Sequence, residues 1–182
     1  MSDPHNPARY GEKWPQYKID AYLEAMQPLK DLVVLSGGWA WHFLSPPGHV
    51  EYKHAHDHKD FDVMVPPRNV GAVMGVLLGL GFRKVTTKYD HLPSDEDFRR
   101  YEQVVPRLGG SFRLTIDFFV KDVPVLVTPE GWQVVQPDVL LSYYSRIHSS
   151  TACWAVLAAQ KLLAAGMAPE GLVGDKRLLE AP

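Results

Sequence analysis

The chain has 182 residues, 46% hydrophobic and 22% charged, the make-up of a folded globule with apolar material for one core rather than of a disordered polymer. Nineteen basic against 21 acidic side chains leave a formal charge of -2 and a pI near 6.4, so no overall field draws it to nucleic acid or acidic lipid. The single cysteine, Cys153, excludes an internal disulfide, and no leader pattern or long apolar span is present, so the expected setting is reducing and cytoplasmic, without a membrane partner.

Residues 1–15, with Pro4, Pro7 and Pro15 and little apolar content, read as a flexible tail. Ile19, Tyr22, Leu23 and Met26 recur at three- and four-residue spacing, which predicts an amphipathic helix over 17–30 that Pro28 disturbs near its end. The apolar run 32–35 reads as a buried strand, closed by Ser36-Gly37-Gly38 and followed by a short helix over 39–44. Pro46, Pro47 and Gly48 make 45–59 a loop. A strand over 60–65 stops at Pro66-Pro67, a helix covers 69–80, and a Val- and Thr-rich strand covers 82–87 before an acidic loop at 92–97. Strands 101–105 and 112–120 flank Leu108-Gly109-Gly110 as an antiparallel pair, and 123–127 forms an edge strand, since Pro124 has no N–H for a ladder. Beyond Pro129 the pattern is helical over 137–147, 152–165 and 169–180, with Pro137 and Pro169 suited to first turns. The fold class is therefore α/β (α+β): a mixed sheet core over 16–130 flanked by helices, with 131–182 as a C-terminal helical part of the same domain.

The chemistry centres on three aspartates. In Asp60-Phe61-Asp62 the period of a strand sends both carboxylates to one face and Phe61 to the core. Two adjacent carboxylates repel unless a cation lies between them, and such oxygen ligands suit magnesium or manganese; the plain alternative is a solvated strand edge. Asp117 lies in the strongest strand pattern, among Ile116, Phe118 and Phe119, where a carboxylate needs a metal or a partner, for which Arg113 or a neighbouring lysine would serve. Convergence of the three fits a two-metal phosphoryl-transfer site. Ser36-Gly37-Gly38, a small-residue turn between a strand and a helix, lets backbone amides approach an anion.

Together, Gly37-Gly38-Trp39-Ala40 and His58-Lys59-Asp60-Phe61-Asp62 resemble the signature of the nucleotidyltransferase superfamily, most of all its small aminoglycoside and lincosamide members. The likeness covers roughly residues 30–120. It implies that the glycine turn at Ser36, Gly37 and Gly38 holds the triphosphate of an NTP such as ATP, and that Asp60 and Asp62 bind Mg2+ or Mn2+. It further implies that Asp117 completes the metal site or acts as the base on the acceptor hydroxyl, and that Lys161 reaches the phosphates from a helix, with Asp175-Lys176 a degraded match to a later charged helix. The spacer 39–59 is longer than the family's usual one, which bears on the acceptor pocket more than on the metal site.

His54, His56 and His58 with Asp57 make a ligand-rich loop that lacks a cysteine for a closed zinc site, so His58 is assigned beside the nucleotide or behind Asp60. Cys153 reads as a buried thiol, Asp95, Glu96 and Asp97 as a solvated loop, and Tyr89, Asp90 and His91 as residues able to face an acceptor. The reading is a transferase moving a nucleoside monophosphate from an NTP to a hydroxyl, a small molecule being favoured over an RNA end or a protein. The rivals are an idle nucleotide- or metal-binding relative or one half of a toxin-antitoxin pair, and a metallohydrolase built on the histidine loop.

Overall fold

The structure, a computed structural model, describes residues 16–44, 60–91 and 97–145. The predicted loop 45–59 with His54, His56 and His58, the residues Asp95, Glu96, Cys153 and Lys161, and the helices expected after 150 lie outside the described residues. Among the described residues no helix is long and apolar enough to cross a membrane.

Helix α1 spans Gln16–Met26 and buries Ile19, Tyr22 and Met26, the stripe that its spacing predicts; Pro28 then tightens the chain into a single 3-10 turn, Gln27–Leu29. Leu29 carbonyl accepts from the N–H groups of both Leu32 and Val33, so the turn consumes two residues expected in a strand. Strand β1 is consequently only Val34–Leu35. Helix α2, Gly37–Leu44, begins at the glycines themselves rather than at Trp39, and nearly every residue in it is buried, as the absence of a polar stripe requires.

Strand β2, Phe61–Val65, leads through a 3-10 turn, Pro67–Asn69, into α3, Val70–Gly79, which packs Val73 and Leu77 inward. Asn69 side-chain N–H donates to Leu32 carbonyl at 2.8 Å, tying that turn to the approach of β1. Strand β3 is Arg83–Val85, shorter than its β-propensity suggested. Strands β4, Asp97–Arg107, and β5, Gly110–Val120, are longer than expected, joined by Leu108-Gly109 with Gly109 at φ +87°. Asp97 thus opens a strand instead of closing a loop. Strand β6, Val125–Val127, follows Pro124 at the sheet edge as expected. A seventh strand, β7, Gln133–Val135, falls in the stretch read as wholly helical; three residues are too few to display an alternation. Helix α4 is Pro137–Ser145.

The fold is α/β, one mixed seven-stranded sheet in the order β3-β4-β5-β2-β1-β7-β6. Two pairings are parallel, β2 with β5 and β1 with β7; the rest are antiparallel. Because β7 hydrogen-bonds beside β1, the sheet continues past residue 130. Phe61, Val63, Val65, Ile116 and Phe118 are fully buried, and Trp39 packs against Phe61 with ring centroids 5.0 Å apart, so the middle strands are seated firmly on one side.

Candidate functional site

Alternation along β2 sends Phe61, Val63 and Val65 into the core and leaves Asp62 on the other face. The parallel register sets Asp62 directly beside Asp117 of β5, and the hairpin register sets Asp117 directly opposite Arg100 of β4. One row across three strands therefore reads Asp62, Asp117, Arg100, with neighbouring members about 5 Å apart at the backbone. Asp60 occupies the bend immediately before β2.

Arg100 grips Asp117 with a bidentate fork. Its Nε donates to Oδ1 at 2.6 Å and its Nη2 to Oδ2 at 2.5 Å, and the same Nη2 stands 3.9 Å from Asp60 Oδ2. Asp60 and Asp117 oxygens are thus separated by no more than the sum of those two legs. The Asp117 hydrogen bonds hold the guanidinium proton more tightly than usual, and the charges of Asp117, Asp60 and Glu102 add to this against the opposing effect of burial. Asp117 is 6% exposed, so its charge is one that needed a partner. That partner is Arg100, not Arg113: Arg113 pairs with Glu102 at 3.4 Å, farther along β5.

The glycine turn touches this row. Ser36 is buried, and its N–H donates to Asp62 carbonyl at 2.8 Å, which extends the β1–β2 ladder by one residue. The chain then enters α2 through Gly37 at φ +59°. A Cβ on Gly37 would lie 2.9 Å from both Cβ and Cγ of Asp62 and nearer still to Oδ2, so the carboxylate fills the space a side chain would take. Ser36 carbonyl accepts the first helical bond, from Ala40 N–H at 3.1 Å, and Gly38 follows half-buried in the first turn. The positive end of α2 is thereby set against a carboxylate row.

Of the residues singled out from the sequence, Asp60, Asp62 and Asp117 come together, and Ser36 and Gly37 join them. His58 and Lys161 lie outside the described residues. Arg100 was missed, although its signal was present: a two-residue turn at Leu108-Gly109 fixes every pair of the hairpin, Arg100 with Asp117 included. Asp90 is engaged within its own turn: it accepts from Lys84 Nζ at 2.5 Å and from Thr87 N–H at 2.5 Å, and these contacts hold its carboxyl well below the usual carboxylate range.

Among the described residues, no three carboxylate, imidazole or thiol groups form a cluster placed to hold a metal ion. Both Asp117 oxygens are given to Arg100, so Asp60 and Asp62, each with partners of its own, are the carboxylates that would hold a metal here. Magnesium of the substrate-borne kind would ask for no more than one or two carboxylates, its shell being completed by phosphate oxygens and water.

No family model matches the chain, and no curated protein matches it at a significant level. Among solved structures it is similar to one described as the crystal structure of JHP933 from Helicobacter pylori, with a TM-score of 0.55 and 14% identity over 84% of this chain and 68% of that one. At that identity the likeness shows the fold alone.

Proposed function

We propose that the chain transfers a nucleoside monophosphate from a nucleoside triphosphate to an acceptor hydroxyl, with magnesium or manganese bound by Asp60 and Asp62. The observation that carries this reading is the close approach of Asp62 to Gly37, which puts the amide end of α2 against the Asp62 carboxylate. An anion-binding helix start beside acidic side chains suits a ligand that is itself an anion carrying a cation, as a metal-bound triphosphate is. When bound, the metal supplies charge neutralisation at the phosphates. The chain's own groups do the rest. Gly37 and Gly38 amides orient the departing pyrophosphate, and the acceptor oxygen bonds to the α-phosphorus as the bond to pyrophosphate breaks. The acceptor proton passes to Asp117 once its guanidinium contact opens.

The weak net charge favours a small hydroxylated acceptor over an RNA end, and magnesium and nucleotides abound in the cytoplasmic setting expected for a chain with one cysteine. The test is incubation of the protein with each α-labelled triphosphate, manganese and fractionated small-molecule extract, following the label by chromatography. Transfer abolished in Asp62→Asn supports the proposal; triphosphate that stays intact in every fraction sinks it. A second reading, a module that binds nucleotide without turnover, is favoured by the grip of Arg100 on Asp117. Calorimetric binding of triphosphate with no labelled product would select it.

A further inference from the structure

The cation that bridges carboxylates in this site belongs to the protein. Arg100 Nη2 lies between Asp117 Oδ2 at 2.5 Å and Asp60 Oδ2 at 3.9 Å, a position that a divalent ion serving both carboxylates would contest. Arg100 comes from the neighbouring strand, opposite Asp117, so its backbone is fixed while its long side chain is about one-third exposed and has solvent on one side. A guanidinium cannot shed its charge, so charge repulsion leaves displacement as the way for a metal to reach Asp117. Two residues along the same strand, on the same face, stands Glu102, paired with the exposed Arg113 at 3.4 Å. A second carboxylate is thus available to receive the guanidinium when it leaves the first.

We infer that Arg100 is a resident counter-ion that competes with divalent metal for Asp117, so that the third carboxylate joins the metal only after Arg100 swings away. The inference rests on the proposed metal site at Asp60 and Asp62. It makes Arg100 a positioning residue, acting on the cation through Asp117.

The probe is manganese alone, without nucleotide, titrated by calorimetry and by the electron paramagnetic resonance signal of the free ion. Replacing Arg100→Gln removes a positive charge a few ångströms from the ion and should tighten manganese binding by about tenfold or more. A residue that merely braced the hairpin would give weaker or unchanged manganese binding together with a lower melting temperature, and that result overturns the inference. Should Arg100→Gln fold poorly, the wild-type chain supplies the measurement. Magnesium should shift the Arg100 side-chain Nε–H resonance, assigned by comparison with Arg100→Lys; a resonance unmoved at saturating magnesium overturns the inference equally. Failure of nucleotide transfer would be seen separately, in the labelled-triphosphate assay, and leaves these two readouts intact.

Discussion

Gly37→Ala is the most exacting substitution the site offers. The backbone at this residue has φ +59°, a conformation that costs an L-residue about 1–2 kcal/mol. The new methyl would meet Asp62 Cβ and Cγ at 2.9 Å, and forcing a group into a filled space costs a further 1–3 kcal/mol, roughly, as side chain and backbone shift. Together these predict a loss of about 3 kcal/mol in a urea unfolding experiment, equivalent to a fall of roughly 10 °C in melting temperature at this chain length. Because the clash falls on the carboxylate itself, manganese affinity should drop in the folded fraction as well. Gly75→Ala is the internal control: Gly75 lies within α3 with nothing near its added Cβ, and alanine there should stabilise by about 0.5–1 kcal/mol. If Gly37→Ala unfolds at the wild-type urea concentration, the packing of Asp62 against the turn is wrong, and so is the reading of Gly37 as part of the site.

Asp117→Asn removes the charge from a buried, bidentate pair and should cost about 2–4 kcal/mol by chemical denaturation, whereas Asp60→Asn, whose oxygen is 3.9 Å from Arg100, should cost under about 1 kcal/mol. Equal losses would mean that the fork on Asp117 carries no special weight. Tyr22→Phe deletes the hydroxyl that accepts from the buried Thr115 N–H at 3.1 Å, one residue before the first pair of the β2–β5 ladder. Thermal melting should show about 1–3 kcal/mol of destabilisation, and none would mean that water replaces the hydroxyl at no cost. Asp90, with its carboxyl held low, stabilises its turn at all pH values above the ordinary carboxylate range near about 3.9, and that contribution fades only as pH falls further. The Thr87 amide resonance should therefore titrate with a midpoint below that value in the wild type and move up towards it in Lys84→Ala; coincident midpoints would refute the assignment.

Alternation made the carboxylate face legible from the sequence, since Asp60-Phe61-Asp62 and Ile116-Asp117-Phe118 each set the carboxylate on the face opposite its large apolar neighbours. The alignment of Asp62 with Asp117 was not legible, because a parallel register between strands more than fifty positions apart leaves no local trace. Arg100 was hidden for another reason. The strands were bounded at 101–105 and 112–120, which left six residues between them where the structure has two, 108–109, and put position 100 outside the hairpin altogether. Residues 32 and 33 belong to an apolar run that reads as strand and yet close a turn, because Pro28 and the 3-10 segment leave the chain still reversing there.

The unequal strand lengths leave their own mark. Strand β3 reaches only as far as Glu102 of β4, and β2 begins opposite Ile116, so residues 103–107 and 110–115 form a two-stranded ribbon beyond the rest of the sheet. A bare ribbon invites pairing with another chain's strand. Here Pro106 interrupts the donors on one side, Arg113 places a charge along the other, and Tyr17 and Arg107 stack over the ribbon near Phe112. The outermost strand β3 presents exposed Arg83 and Lys84, and β6 is only three residues long, entered from Pro124. Among the described residues, each margin of the sheet thus carries a feature that discourages a second copy from docking there, which lets a small sheet keep a long hairpin without becoming a template for fibres.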